Sequence, residues 1–269
     1  MKKEMPPVTG TTKVFGCIAH PTDHVRAPMV FNPMFAARGL DHVMVPVNAP
    51  PESLEKIVTG LRSMPNFGGM AVTIPHKIPL LALCDSVGPA AQIAGAVNAV
   101  RFDSNGSIHG DNFDGAGFVA GVKRQGHSIA GKSVLIVGAG GAARAIAVAL
   151  CEAGVTALTI CNRTKANADA VIDDLHTIGG FTQGSAVAAH DGAGVDIIIN
   201  TTSLGLHDGD QLPLALDAVD AQTLIADIIM VPDRTAWLAA AEDRGLATHY
   251  GRHMLDCQIE LIGEFIGAF

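Results

Sequence analysis

The stretch SVLIVGAGGAAR, from Ser133 to Arg144, joins a run of branched apolar residues to a turn of glycine and alanine. The apolar run is typical of a buried strand, and the pattern Gly-x-Gly-x-x-Ala that follows it opens a helix. The first glycine permits a tight turn, the second lets the backbone approach a pyrophosphate, and a small third residue lets helix and strand pack closely. The helix start offers amide donors to the phosphates. The stretch therefore predicts a dinucleotide-binding turn formed by Gly138, Gly140, Gly141 and Ala142.

The residues after this turn continue the alternation of strand and helix. The predicted strands are Ser133–Val137, Ala157–Cys161, Ile197–Asn200 and Leu224–Ile229, and the predicted helices are Ala142–Ala153 and Lys165–Thr177. Such alternation is typical of parallel βαβ units with right-handed crossovers. We therefore predict an α/β chain in which this region is a Rossmann-type, doubly wound parallel sheet.

The end of the second predicted strand distinguishes between the two nicotinamide cofactors. NAD-binding folds place an Asp or Glu there, where it binds the ribose 2′-hydroxyl. Here the strand is followed by Asn162, Arg163, Thr164 and Lys165, with no acidic side chain, and all four are predicted to contact the cofactor. Arg163 can stack on adenine and, with its two neighbours, bind a 2′-phosphate that an acid would repel. We predict NADP(H), with NAD less favoured; the alternative is a solvated basic turn.

The chain ahead of this region predicts a separate α/β domain. Its predicted strands are Lys13–Ile18, His42–Val47 and Gly69–Ile74, with helices at about 50–63 and 90–94. The Asp103-Ser104-Asn105-Gly106 turn predicts a hairpin that joins Ala96–Phe102 to Ser107–Gly110. A helix is predicted from Phe113 to Gln125, and two more after Trp237, divided near 249–252. We predict a substrate domain of residues 1–112 with 238–269, a cofactor domain of 113–237, and a cleft between them.

The composition narrows the range of functions. Among 269 residues, 26 are acidic and 18 basic, and a net charge of −8 disfavours nucleic acid, which needs clustered Lys and Arg. No apolar signal-peptide core follows Lys2-Lys3, and the apolar residues 134–155 include Arg144 and Glu152, so no membrane segment is predicted. Five cysteines without a CxxC pair are typical of reduced thiols in a cytoplasmic protein. The eleven histidines show no ligand spacing, so no metal site is predicted.

Further motifs, in order along almost the whole chain, resemble those of the shikimate dehydrogenase family. AVTIPHK (Ala71–Lys77) resembles that family's N-V-T-x-P-x-K, GAVNA (Gly95–Ala99) its G-A-x-N-T, and GDNFDG (Gly110–Gly115) its G-x-N-T-D-G. The match continues through Asn162–Thr164, Asn200–Ser203 and Gly251–Gln258, the last being similar to G-x-x-M-L-x-x-Q. Each motif is short, but their joint order is highly specific.

The resemblance implies an oxidoreductase that interconverts a secondary hydroxyl and a ketone by hydride transfer. It implies that Lys77 and Asp114 are the catalytic pair, in which the lysine takes the hydroxyl proton and the carboxylate orients the lysine. A lone lysine after proline is usually a solvated charge, and a lone aspartate at a helix start is usually a cap, so the assignment depends on the motifs occurring together. The resemblance also implies substrate contacts from Thr73, Asn98 and Gln258 and cofactor contacts from Thr201 and Gly251.

The segment that holds the substrate carboxylate in this family departs from the family pattern. That pattern, S-x-S-P, carries two serine hydroxyls, but counting back from Pro28 puts Val25 and Ala27 at their positions. A hydrogen bond to a charged group contributes about 1.5–3 kcal/mol, so losing two weakens carboxylate binding roughly 10²–10⁴-fold unless another group replaces them. Arg26 is predicted to bind the substrate as the replacement, since it can form two parallel bonds to a carboxylate; the alternative is a surface position. Other candidates for that role are His24 and Thr22. The remaining departures are Ala71, Ala99 and Met230, in place of Asn, Thr and Tyr.

We therefore predict a cytoplasmic NADP(H)-dependent oxidoreductase of this family, monomeric or homodimeric, acting on a small hydroxy acid of the shikimate or quinate type. The resemblance implies a place in the shikimate pathway of aromatic amino acid biosynthesis. One alternative is a paralogue with a different substrate, such as an amino-substituted analogue. A second is a catalytically weak NADP(H)-binding regulator, which the lost serines favour and the retained Lys77 and Asp114 disfavour. A short hydroxy-acid or glutamyl-type reductase is weaker, since it does not explain the Asn98, Asp114 and Gln258 motifs together.

Overall fold

A computed structural model describes residues 7–23, 25–178 and 183–269, so His24 lies outside the described residues. The chain divides into two compact units, the first Met1–Phe113 with Ile259–Phe269 and the second Asp114–Gln258. The predicted boundary after residue 112 lies one residue from the observed one, whereas the predicted boundary after residue 237 differs from the observed one after Gln258. Residues 238–258 lie in the second unit because a strand at Ala247–His249 pairs with the sheet of that unit.

The first unit is built on one six-stranded mixed sheet. Its strands are β1 (Lys13–Ala19), β2 (His42–Asn48), β3 (Phe67–Val72), β4 (Ser86–Val87), β5 (Ala99–Phe102) and β6 (Ile108–Asp111). Its helices are α1 (Ala27–Arg38), α2 (Leu54–Arg62) and α3 (Pro89–Ala94), with 3₁₀ turns at Pro51–Ser53 and Pro79–Leu83. The strand order is β2-β1-β3-β5-β6-β4, in which β3-β5 and β5-β6 are the antiparallel pairs.

The central strands of this sheet are covered on both faces. Since successive side chains of a strand point to opposite faces, Cys17 and Ala71 belong to one apolar cluster while Ile18 and Val72 belong to the other. The cluster that contains Cys17 and Ala71 also takes in residues 259–269, which explains why the end of the chain belongs to the first unit.

The second unit has a fully parallel six-stranded sheet. Its strands are β7 (Ser133–Val137), β8 (Ala157–Cys161), β9 (Gly184–Val187), β10 (Ile197–Asn200), β11 (Leu224–Asp227) and β12 (Ala247–His249). Its helices are α4 (Asp114–Arg124), α5 (Gly141–Glu152), α6 (Lys165–Ile178), α7 (Ala236–Asp243) and the first part of α8 (Gly251–Phe265). The strand order β12-β11-β10-β7-β8-β9 is the 3-2-1-4-5-6 order of the Rossmann fold, read from the opposite edge. The predicted fold class is confirmed.

Several elements differ from their predicted form, among them β4 and β9, to which the sequence assigned no strand. The sequence assigned no element to residues 27–38, where α1 carries Pro28 and Pro33, residues that weaken a helical signal. The predicted strand Leu224–Ile229 ends at Asp227, because the Asp227 carboxylate accepts a hydrogen bond from the Ile229 N–H at 3.0 Å and turns the chain. Between the two predicted C-terminal helices the chain adds β12, which is only three residues long.

His249, the last residue of β12, is buried without a polar partner. Its side chain is 1% exposed, and neither ring nitrogen has a hydrogen-bond partner among the described residues. Phe118 packs edge-on against the ring and His253 lies beside it. Burial, with smaller contributions from His253 and His127, lowers the pKa of His249 from its ordinary 6.5 to about 4. The ring is therefore neutral in the folded chain at neutral pH.

This neutral histidine is expected to make the second unit less stable in acid. Between pH 6.5 and 4 the unfolded chain binds a proton at this site that the folded chain excludes, so stability falls as the pH falls through that window. The loss from this residue is about 2–3 kcal/mol, since one pKa unit corresponds to about 1.4 kcal/mol. Urea unfolding at pH 7.5 and pH 4.5 measures it. His249→Phe should lose less free energy of unfolding between these two pH values than the parent chain does. The exposed control His207→Phe should lose as much as the parent chain. An equal loss in all three proteins would show that His249 does not cause the acid sensitivity.

Within the described ranges, no helix is both long enough and apolar enough to cross a membrane. The same ranges contain no group of three or more His, Cys, Asp or Glu side chains arranged to hold a metal ion.

Candidate dinucleotide site and catalytic residues

Gly138 occupies a position that strongly favours glycine. Its φ is +114°, in the region that L side chains rarely adopt, and a Cβ there would lie 2.5 Å from the Thr201 hydroxyl oxygen. The turn is held by the Gly138 N–H, which donates to the Cys161 carbonyl at 2.8 Å. Thr201 in turn donates its hydroxyl to the Val137 carbonyl at 2.8 Å. The predicted residues Gly138 and Thr201 are therefore in contact.

The start of α5 is open on the side of the glycine turn. Gly140 precedes the helix in an extended conformation, and a Cβ built on it would meet nothing within 4 Å. Gly140, the N-cap residue, has no side chain to cap the amides of the first turn, which begins at Gly141 and Ala142. Uncapped amides at a helix start carry a partial positive charge and bind anions such as a pyrophosphate.

A cavity of about 630 Å³ adjoins this turn within the second unit. It is lined by Val137, Gly138, Cys161, Asn162, Arg163, Ala188, Ala189, His190, Thr202, Ser203, Leu204, Leu212, Pro213, Leu214 and Ala215. No acidic side chain is among these residues. The cavity combines the glycine turn, an arginine and apolar walls, which suits the ribose, phosphate and adenine of a dinucleotide.

The two basic side chains that follow β8, Arg163 and Lys165, differ in their ion pairing. Arg163 is exposed, lines the cavity, and has no ion pair with any side chain in the described parts of the chain. Lys165 instead forms an ion pair with Asp169 on its own helix. Asn162 shapes the turn by donating from its side chain to the Thr164 carbonyl at 2.9 Å. Arg163 is therefore the cation best placed to meet a phosphate in this cavity.

A buried polar network at the ends of β10 and β11 was not assigned a role from the sequence. Asn200 donates to Asp227 at 3.2 Å and to the Leu204 carbonyl at 3.0 Å, and the Thr235 hydroxyl donates to Asp227 at 2.9 Å. Burial raises the pKa of the Asp227 carboxyl. Thr235 also caps α7. The network fixes the loop after β10, part of which lines the cavity. In the sequence, the network could have been recognised from Asn200 and Asp227, two polar residues that each end an apolar strand.

In the first unit, three predicted site residues lie where β3 ends and β5 begins: Thr73, Lys77 and Asn98. Thr73 follows β3, and the Lys77 carbonyl accepts from the Val97 N–H at 2.8 Å. Asn98, 3% exposed, accepts from the Phe113 N–H at 2.9 Å through its side-chain oxygen. Lys77 is half-buried. The structure thus brings three predicted residues of this unit together, next to the chain that leads into Asp114.

Asp114 and Gln258 meet in the second unit although 144 positions separate them. Asp114 begins α4 and is 9% exposed; Gln258 lies on α8 and is 7% exposed. The Gln258 side-chain N–H donates to an Asp114 carboxylate oxygen. Gly251, at the start of α8, lies so close to the residues after β11 that a Cβ would be 2.5 Å from the Ile229 carbonyl oxygen.

Arg26 lies on the segment that joins β1 to α1 in the first unit. It is exposed and immediately precedes α1, whereas its neighbours Val25 and Ala27 are partly buried against an apolar cluster. Among the described residues the Arg26 side chain has no hydrogen bond or ion pair. Thr22 is partly exposed on the same segment.

The parallel strand order, the open glycine turn and the cavity without an acid define the chain as a Rossmann-type dinucleotide-binding protein with a second α/β unit. Residues 17–100 match the family model described as shikimate dehydrogenase substrate binding domain, and residues 121–206 match that of shikimate / quinate 5-dehydrogenase. The chain belongs to the shikimate dehydrogenase family. The predicted family is confirmed, and with it the prediction of an oxidoreductase.

Individual relatives are similar over almost their full length. The shikimate dehydrogenase (NADP(+)) of Rubrobacter xylanophilus is 41% identical, over 93% of this chain and 89% of its own. The structure of shikimate 5-dehydrogenase from Listeria monocytogenes, in complex with shikimate and NAD, is 30% identical with a TM-score of 0.89 over 99% and 96% of the two chains. The ligand-free 5-ketofructose reductase of Gluconobacter sp. strain CHM43 is 31% identical with a TM-score of 0.86 over 96% and 94%.

Proposed function

We propose that this chain is an NADP(H)-dependent oxidoreductase that interconverts a secondary hydroxyl and a ketone on a cyclic polyhydroxy acid of the shikimate or quinate type. The observation that carries the proposal is the buried hydrogen bond from Gln258 to Asp114. It joins two motifs far apart in sequence, each of which is assigned to the reacting end of the substrate in this family. Burying an acid and an amide costs free energy unless the two are hydrogen-bonded, and the bond between these two motifs supports a shared role for them.

NADP(H) fits the residues that are present. The open start of α5 and the glycine turn would hold the pyrophosphate, and Arg163 with Asn162 and Thr164 would hold the 2′-phosphate. The absence of an acid from the cavity lining supports NADP(H) over NAD, and the curated relatives carry NADP(+) in their names. Lys165 is a secondary contact in this proposal, because it is already paired with Asp169. When bound, the cofactor accepts or supplies the hydride.

Lys77 and Asp114 are the proposed catalytic residues. In the oxidation of an alcohol, the carbinol carbon gives up a hydride and the hydroxyl gives up its proton, which leaves a ketone, NADPH and H⁺. Lys77 would take that proton through the lone pair of its amine, and Asp114 would orient the ammonium group that results and pass the proton on. Gln258 supports this role because its N–H holds one oxygen of the Asp114 carboxylate. Thr73 and Asn98 are the proposed contacts to other substrate hydroxyls.

The choice of a cyclic hydroxy acid follows the names of the relatives. Most of them are shikimate dehydrogenases, and one structure of the same fold, 26% identical, is a quinate dehydrogenase from Corynebacterium glutamicum in complex with NAD. A second candidate is the reduction of a neutral ketosugar. The Gluconobacter reductase supports it, since its name gives a ketosugar as substrate, and so does the replacement of both serines by Val25 and Ala27.

We also infer that the protein is cytoplasmic and acts as a monomer or homodimer. All five cysteines are free thiols, which suits a reducing compartment. Burial raises the pKa of Cys17 and Cys151 to about 12, so these thiols are protonated and unreactive at neutral pH.

The proposal is tested by following NADPH formation with shikimate and quinate, each with NADP⁺ and with NAD⁺. We expect turnover with NADP⁺ and a higher kcat/KM than with NAD⁺. Arg163→Ala should lower kcat/KM for NADP⁺ by about 10–100-fold, the value of one charged hydrogen bond, while activity with NAD⁺ falls by no more than about fivefold, the value of a cation–π contact to adenine.

The matched control is Arg124→Ala, which removes the same charge from an exposed position near the end of α4 in the same unit. It should leave both cofactors unaffected. Absence of activity with every acid and both cofactors would contradict the proposed function. An equal loss with NADP⁺ and NAD⁺ in Arg163→Ala would contradict the assignment of the 2′-phosphate to this residue.

A further inference from the structure

Helix α4, which begins at Asp114, contains three buried glycines: Gly115, Gly117 and Gly121. Glycine inside a helix is less favourable than alanine, because it loses more conformational freedom on folding. Gly117 and Gly121 are four residues apart and therefore share one face of the helix. Gly115 lies on the opposite face, about 200° around the helix axis from Gly117. The contacts on these two faces explain why neither carries a side chain at these positions.

On one face, Gly115 packs directly against α5, the helix that begins at the glycine turn of the candidate dinucleotide site. A Cβ at Gly115 would overlap the Ala145 carbonyl oxygen and would lie 3.0 Å from the Ala149 Cβ. The Ala145 carbonyl is part of the main chain of α5 and cannot rotate away. Helix α4 therefore has no room to move closer to α5.

On the other face, α4 packs directly against the first part of α8. A Cβ at Gly117 would lie 2.8 Å from the Gln258 Cβ, 2.8 Å from the Met254 carbonyl oxygen and 3.2 Å from the Gln258 Cα. One turn further along, a Cβ at Gly121 would lie 2.8 Å from the His253 carbonyl oxygen. Rotation of a side chain moves none of these atoms. The two helices are this close because neither glycine has a side chain.

This close approach lies one turn from the hydrogen bond that Gln258 donates to Asp114. Asp114 precedes Gly117 by three residues, so both lie on the side of α4 that faces α8. Because Gly115 already contacts α5, α4 cannot retreat from a Cβ added at Gly117. The added group would instead displace α8 and carry Gln258 away from Asp114, and a hydrogen bond weakens steeply when its geometry is lost.

We propose that Gly117 is a positioning residue for catalysis, because the absence of a side chain there lets Gln258 reach and hold the Asp114 carboxylate. This inference rests on the proposed oxidoreductase function, in which Asp114 orients the lysine and passes on its proton. Gly117 is buried under α8 and acts through the spacing of the two helices, not through contact with the substrate. Gly121 maintains the same spacing one turn further from Asp114.

The test begins with Gly117→Ala, assayed with shikimate and NADP⁺. Its kcat/KM should fall by about 10–100-fold, the value of one hydrogen bond to a charged group. Its affinity for NADPH, measured by fluorescence titration, should stay within about twofold, since α4 keeps its contact with α5. The matched control is Gly60→Ala, the same substitution inside α2, where a Cβ would meet nothing within 4 Å. It should change neither quantity.

A double-mutant cycle with Gln258→Ala distinguishes positioning from a general loss of packing. Gln258→Ala alone should lower kcat/KM at least as much as Gly117→Ala does. Combining the two should lower it by no more than about twofold further, because the hydrogen bond is already absent. A methyl group that only disturbs the packing would multiply the two losses. If Gly117→Ala unfolds below the assay temperature, Gly121→Ala takes its place in the cycle, with a smaller loss and the same non-additivity expected.

The side-chain amide signal of Gln258 in NMR spectra gives a reading that does not require turnover. It should shift in Gly117→Ala and keep its position in Gly60→Ala. A shifted signal together with non-additive losses supports the inference.

Two results would overturn this inference and leave the proposed function standing. One is a multiplied loss in the double variant, and the other is a Gly117→Ala protein with the parent's kcat/KM and an unshifted Gln258 signal. Absence of turnover in the unaltered chain with every acid and both cofactors defeats the proposed function itself. The amide signal then still decides whether Gly117 sets the contact between Gln258 and Asp114.

Discussion

Replacing Lys77 with alanine is expected to lower kcat by about 10²–10⁴-fold while the affinity for NADP⁺ stays within about twofold. The loss is that of a general base positioned at the reacting hydroxyl. The backbone of this segment should keep its place in the variant, because its contact to Val97 uses the Lys77 carbonyl and not the side chain. Initial rates of NADPH formation give kcat, and fluorescence titration with NADPH gives the cofactor affinity.

A matched control for this variant is Lys56→Ala, which removes an exposed ammonium group from α2 in the same unit. It should keep full activity. Retention of more than about a tenth of the parent kcat in Lys77→Ala would exclude Lys77 as the base. The same experiment addresses the regulator alternative, since a protein that only senses the cofactor would show no turnover for Lys77→Ala to lower.

Alanine at Gly138 is expected to destabilise the second unit by roughly 1–3 kcal/mol and to abolish measurable NADP⁺ binding. The strain has two sources: the positive φ of +114°, and a Cβ only 2.5 Å from the Thr201 hydroxyl oxygen. Relieving this strain requires a shift of either the glycine turn or Thr201. Because both adjoin the open start of α5, the shift should disturb the proposed cofactor site. Urea unfolding reports the stability and calorimetric titration reports the binding.

Gly140→Ala is the informative comparison for this variant. Gly140 has an ordinary backbone conformation with open space where a Cβ would point, so the substitution should leave stability within about 0.5 kcal/mol. It should still weaken NADP⁺ binding by at least about tenfold, because the added methyl group lies where the backbone must approach the pyrophosphate. Normal cofactor binding by Gly140→Ala would show that the pyrophosphate lies elsewhere.

The elements of the cofactor unit were predictable because their signals are local. A buried strand, a glycine turn and a helix follow one another within residues 133–152, and the sterics of each step can be read from neighbouring residues. The absence of an acidic residue after β8, from which NADP(H) was predicted, is likewise read from one short segment. The hairpin of β5 and β6 was predicted for the same reason, from the Asn-Gly turn between them.

The elements that were missed depend on distant residues. β12 is three residues long and exists because β11 offers it a free edge, so nothing within residues 247–249 marks it as a strand. That short strand moved the domain boundary from residue 237 to Gln258. Helix α1 carries two prolines and gains its stability by packing Phe31 and Phe35 into the first unit's core.

The sequence by itself determined the family, the glycine turn between β7 and α5 and the type of cofactor, because each is read from short motifs of fixed spacing and, for the family, from the order of those motifs along the chain. Only the tertiary structure decided that Gln258 holds the Asp114 carboxylate and that Val25, Ala27, Ala71 and Ala99 share one apolar region. Those contacts join segments far apart in the chain, and their formation depends on strand register and helix packing that no local pattern specifies.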